Sequence, residues 1–94
     1  MDLNQLRGEI DKIDDRMVRL FVERMEIAAR IAEYKHSHNL PVLAPAREQE
    51  KLLDVAEKAG PEMSDYIQKL YATMFEVSRD YQKQVLNGYE NPTD

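Results

Sequence analysis

The sequence contains no cysteine. That excludes a disulfide framework, a thiolate nucleophile and a cysteine-ligated metal, and nothing then ties the chain to an oxidising compartment, so a cytoplasmic location is expected. No apolar run approaches membrane-spanning length. The start, MDLNQLRGEIDKIDD, is acidic and periodic where a signal peptide would be basic and then apolar, so no membrane role is expected. Also missing is any block of lysine and arginine of the kind that tracks a phosphate backbone, and the net charge is −5, which argues against nucleic acid as a partner. No strand-like alternation and no internal repeat appear. What is present is a single domain, residues 1–94, of a size that buries only a modest core unless a partner adds to it.

The apolar residues Leu3, Leu6, Ile10, Ile13, Met17, Leu20, Ile27, Ile31 and Tyr34 alternate three and four apart if Arg24 fills the one gap, which predicts one long helix. Asp2 followed by Gln5 has the form of a capping box and places the helix start at about residue 3. Gly8 lowers the propensity only slightly. The pattern fades at HSHNLP, where Asn39 and Pro41 oppose continuation, so a loop is expected over about 38–44. Pro45 suits a first helical turn, and a shorter helix over about 45–59 should stop at Gly60 and Pro61. A third helix, capped by Ser64, carries Ile67, Leu70, Tyr71, Met74, Phe75, Tyr81 and Val85 and is expected to end near Leu86, leaving 87–94 frayed. The fold class is therefore all-α, with one long, one short and one medium helix.

A first helix of some 34 residues is roughly 50 Å long, more than the diameter of a compact domain of this size. Two shorter helices from the same chain cannot cover so long a seam, whereas a second copy alongside can. An intertwined homodimer is the expected assembly.

Arg24 is one of several polar residues on apolar faces. Lys35, eleven residues on, returns to within about 20° of the same face, so a cationic pair lines one strip of the helix. On the third helix, Ser78 and Gln82 sit one turn apart on the face that carries Met74, Phe75 and Val85. Burying such groups costs a few kcal/mol each unless partners are supplied, either by the protein, as in an Arg24–Glu48 salt bridge, or by a polar ligand. Together with Arg47 and Glu48 at the start of the second helix, they would make a cavity suited to a small dianion carrying a hydroxyl. Arg7 lies about 25 Å from Arg24 along one helix, too far for both to reach one small molecule. Antiparallel pairing of two first helices would bring Arg7 of one chain towards Arg24 of the other, and each site would be shared.

The segments LRGEIDKIDDRMVRLFVER, IAEYK, PAREQEKL and SRDYQ, in this order and spacing, resemble the all-helical chorismate mutases of the AroQ type over about Leu3 to Leu86. The resemblance implies an intertwined three-helix dimer whose two sites rearrange chorismate to prephenate on the route to phenylalanine and tyrosine, with no cofactor and no metal. It also implies that Arg7 of the partner chain and Arg24 bind the substrate carboxylates, that Lys35 contacts a carboxylate and the ether oxygen, and that Gln82 donates to that same oxygen. Arg47 and Glu48 would line the end near the ring hydroxyl, with Glu48 accepting from it, and Ser78 would assist a carboxylate. Arg24, Lys35 and Gln82 carry the catalytic part of this assignment. Where several members have Asp four residues before the Glu, this chain has Ala44, so a side-chain contact there would be lost.

Two other readings fit the same pattern: an isochorismate pyruvate lyase on the same fold, and a non-catalytic helical module that dimerises or docks. The His36/His38 pair reads as a solvated feature of a helix end rather than a metal site. The tyrosines and methionines fall mostly on apolar faces, where core packing explains them.

Overall fold

A computed structural model of the chain describes the backbone of residues 1–90 and the side chains of residues 1–88. It contains three helices: α1 over Leu3–Ser37, α2 over Pro45–Ala59 and α3 over Ser64–Glu90. No strand occurs among the described residues, and no helix is long and apolar enough to cross a membrane. The all-α expectation is met.

Each helix boundary has a local cause. Asp2 accepts from the Gln5 amide at 2.8 Å while the Gln5 side chain accepts from the Asp2 amide at 2.9 Å, closing the capping box. At the other end of α1, Asn39 takes a positive φ of 56°. This lets the Leu40 amide reach the Lys35 carbonyl at 2.8 Å and the Asn39 amide reach that of His36 at 3.3 Å, the Schellman arrangement that ends a helix. The His38 ring stacks on Tyr34 at 3.9 Å and its Nδ1 lies 2.8 Å from the Tyr34 carbonyl oxygen, so this histidine helps close the helix end. Pro45 opens α2, as expected, but Ala44 at the N-cap provides no side-chain acceptor. Gly60, with φ 86°, makes the turn out of α2, a conformation that any side chain would strain.

Two details differ from the sequence-based expectation. Ser64 is the first residue of α3 rather than its cap; its hydroxyl points back to the Pro61 carbonyl at 3.4 Å, and the Met63 carbonyl accepts the first helical bond, from Ile67. The helix also passes Leu86 and continues to Glu90. Gly88 costs about 1 kcal/mol against alanine, too little to stop an established helix, and the next proline in the sequence is Pro92. The expected frayed segment is thus helical over 87–90, and its remainder, 91–94, lies outside the described residues.

α3 packs against both α1 and α2 and joins them. Two of its glutamines make similar bridges: Gln68 donates to the Leu52 carbonyl of α2 at 3.1 Å, and Gln82 to the Ala28 carbonyl of α1 at 2.9 Å. Ala28 and Ala32 are buried on α1, and their small side chains let α3 approach closely. The core is thin. Among the described residues, only Ala28, Ala32, Val55 and Phe75 are buried apolar residues, and no large side chain is fully enclosed. The molecule measures 56 × 31 × 15 Å with a radius of gyration of 16.9 Å, whereas a compact domain of this length has about 12 Å. Its accessible surface, 7629 Å², likewise exceeds the roughly 5,600 Å² of a compact monomer of this mass.

Because Ala32 is wholly enclosed between helices, Ala32→Leu should overpack the α1–α3 contact. A loss of about 1–3 kcal/mol in unfolding free energy is expected by urea denaturation at fixed protein concentration. An unchanged midpoint would mean that the two helices have more room than this packing allows.

Candidate active site

Where the three helices meet there is a cavity of about 290 Å³. Each helix contributes side chains at helical spacing. From α1 come Arg24, Ile27, Ala28, Ile31 and Lys35; from the start of α2, Ala44, Arg47, Glu48 and Lys51; from α3, Phe75, Ser78, Arg79 and Gln82. The recurring three- and four-residue steps put each set on one side of its helix. Of the residues singled out from sequence, Arg24, Lys35, Arg47, Glu48, Ser78 and Gln82 converge here. Arg7 does not. It is exposed on α1, about 25 Å from Arg24 along the axis.

The lining contains five cationic side chains and one carboxylate, in a chain of net charge −5. Positive potential is therefore concentrated in the cleft of an otherwise acidic molecule, which favours an anionic guest. Arg24 is held by neutral groups. Its Nη1 donates to Ser78 Oγ at 3.2 Å, and its guanidinium carbon lies 5.9 Å and 5.8 Å from the ring centroids of Tyr71 and Phe75. The Ser78 hydroxyl in turn donates to the Met25 sulfur at 3.6 Å. Lys35 Nζ donates to the Val42 carbonyl at 3.1 Å, which ties the α1–α2 loop to the end of α1 and leaves two ammonium hydrogens for a ligand. Neither cation has a carboxylate partner among the described residues.

The Arg24–Glu48 salt bridge that the sequence leaves open does not form. Glu48 instead receives Arg79, whose Nη1 lies 2.6 Å from both carboxylate oxygens, in a pair about one-quarter exposed. The bond to Glu48 raises the Arg79 pKa above its usual value, with smaller Coulombic help from Glu48, Glu76 and Asp80 against the opposing effect of burial. The other two cations of the cleft are drawn outwards: Arg47 to Glu50 at 3.1 Å and Lys51 to Asp54 at 3.2 Å. Asp54 is held below the ordinary carboxylate range, first by Lys58 and then by Lys51. Exposed pairs of this kind contribute little, so an incoming anion can compete for Arg47 at small cost.

Gln82 is buried and gives one amide hydrogen to Ala28, leaving the second for the cavity it lines. Reading from sequence missed Arg79 and Lys51. The signal was available: Arg79 lies four residues after Phe75 and three before Gln82, and Lys51 three after Glu48, so completing each helical stripe would have named both.

A cleft between helices, lined by cations with unspent donors and containing a single carboxylate, has the chemistry to suit a small polyanion. The chain belongs to the chorismate mutase type II family, which it matches over residues 6–83. It is 44% identical over 62 residues to the T-protein of Haemophilus influenzae, covering 62% of this chain and 16% of that protein. Similarity to the chorismate mutase of Methanocaldococcus jannaschii runs further, at 27% identity over 92 residues, covering 95% of this chain and 92% of the relative. The 4-amino-4-deoxychorismate mutase of Streptomyces venezuelae is 35% identical over 46 residues, covering 49% of this chain and 45% of the relative. The chain thus spans only a small part of the T-protein's length.

Gln82→Leu keeps the bulk but removes the bridge from α3 to α1. It should lower stability by about 1 kcal/mol, the net contribution of one hydrogen bond, measured as a shift in denaturation midpoint. Unchanged stability would show that this amide does not help join the helices.

Proposed function

We propose that the chain is a chorismate mutase, converting chorismate to prephenate, and that it works as an antiparallel homodimer with two shared sites. The observation that carries the reading is the cleft itself: it is open, and Arg24 and Lys35 face it with donors that no protein carboxylate has claimed. A helical module that only docks would be expected to fill such a cleft with its own side chains.

The chemistry suits these groups. The rearrangement is unimolecular: a carbon–oxygen bond breaks as a carbon–carbon bond forms, and no proton needs to be moved. The protein must hold the substrate in its compact conformer and stabilise negative charge gathering on the ether oxygen. Arg24, with Arg7 from the second chain, binds the two carboxylates; Ser78 holds the Arg24 guanidinium and, by turning its one hydrogen away from the Met25 sulfur, can itself donate to a carboxylate. Lys35 and the second amide hydrogen of Gln82 meet the ether oxygen from a low-dielectric site. Glu48, the one acid in the lining, accepts from the ring hydroxyl, and Arg47 swings in from Glu50 to close that end. An enzyme at the low end of usual rate enhancements lowers its barrier by about 8 kcal/mol, so two such donors to the ether oxygen can account for much of it.

The dimer is supported by what this chain leaves uncovered. Leu3, Leu6, Ile10, Ile13, Met17 and Leu20 form a stripe on α1, and each is between 45% and 62% exposed. A second copy running antiparallel would cover this stripe and carry Arg7 to the neighbouring cleft.

Two measurements test the reading. Lys35→Ala should remain folded and lose about 10²–10³ in kcat for prephenate formation; near-normal turnover would remove Lys35 from the mechanism. In a mixing experiment, Arg7→Ala and Arg24→Ala should each be impaired alone. Refolding them together should restore about a quarter of wild-type activity, because half the dimers are mixed and each mixed dimer has one intact site. No recovery on mixing would rule out sharing of the site between chains.

A further inference from the structure

Arg79 is left over when the rearrangement has been accounted for, because holding carboxylates, stabilising an ether oxygen and accepting from a hydroxyl do not require it. It nevertheless fixes the electrostatics of one end of the cleft. A carboxylate alone would accept equally well from a hydroxyl or from an ammonium, and it would attract the ammonium more strongly because that group is charged. Glu48 is not alone. A single guanidinium nitrogen sits 2.6 Å from both its oxygens, so the pair is close to neutral. Arg47 and Lys51 also line the cavity, each paired outwards with an acid, while Arg24 and Lys35 line it with no carboxylate partner among the described residues. A cationic group placed there would meet an excess of positive charge, whereas a neutral hydroxyl would still find lone pairs on Glu48 that Arg79 does not occupy.

We propose that Arg79 is a specificity-determining positioning residue, which by pairing with Glu48 makes the ring-substituent end of the cleft select a neutral hydroxyl over an ammonium. The inference rests on the chorismate mutase reading and deepens it: the substrate class is the hydroxyl compound, and the amino analogue is rejected by charge rather than by size. Discrimination of this kind comes from an unfavourable contact with the wrong substrate as much as from a favourable one with the right substrate. Arg79 acts through Glu48. Its removal should therefore change preference, where a purely structural loss would depress turnover of both compounds alike.

The test compares kcat/KM for chorismate and for 4-amino-4-deoxychorismate in the wild type, Arg79→Gln, Arg79→Lys and Glu48→Gln, with helix content checked by circular dichroism. Arg79→Gln frees the carboxylate and should raise the amino-to-hydroxy ratio at least about tenfold, a modest effect for one charge contact inside a cleft. Arg79→Lys preserves the charge and should hold the ratio near the wild-type value. Glu48→Gln leaves the cation uncompensated and should lower the ratio, and if Arg79→Gln fails to fold, Arg79→Ala makes the same comparison with the charge removed. A ratio unmoved by either neutralising variant, in a wild type that turns over chorismate, overturns the role of Arg79 and leaves the mutase reading standing. A wild type that turns over neither compound removes that reading, and this inference with it.

Discussion

The structure depends on keeping a guanidinium and an ammonium inside a helical interface without giving either a carboxylate from among the described residues. Arg24 is steadied by a hydroxyl and two aromatic faces, and Lys35 by a main-chain carbonyl. Neutral partners of this sort fix position while leaving the charge uncancelled and available to an anion. Had Glu48 reached Arg24, the result would have been an ordinary internal ion pair and a cleft with much less affinity for anions. Glu48 is paired with Arg79 instead.

That arrangement in turn explains the shape of the chain. Three helices that met in a fully apolar core would leave no cavity, and here the core is reduced to two alanines, a valine and a phenylalanine. Ala28 and Ala32 let α3 come close to α1, and the side-chain amides of Gln68 and Gln82 join helix to helix at the main chain, where apolar packing is scarce. The stability forgone in the middle has to come from elsewhere. The apolar stripe along the first half of α1, uncovered in the single chain, is the natural source, and the proposed second copy would bury it while completing each site.

Much of this was legible in the residues. The apolar spacing of α1, the Asp2–Gln5 box, Asn39 and the Gly60–Pro61 stop are local signals, and the helices follow them to within a few residues. The end of α3 was not legible, since Gly88 resembles a stop but nothing beyond it before Pro92 forbids continuation. Arg24, Lys35, Ser78 and Gln82 stood out as polar residues on apolar faces, a pattern visible along a single helix. Arg79 was legible only as a member of the stripe that carries Phe75 and Gln82; its pairing with Glu48 was not, because that depends on the helix that faces it.

By itself the sequence determined where the helices lie and which of their faces carry charge into the interior, because helical period and capping act over a few residues and need no distant partner. Only the tertiary structure decided which charges would be spent. Glu48 lay within reach of more than one cation, and the packing of α3 on α1 and α2 brought Arg79 to it while leaving Arg24 and Lys35 uncompensated. Pairing depends on distances across helices, set by the small side chains at their contact, and no local pattern along the chain encodes those distances.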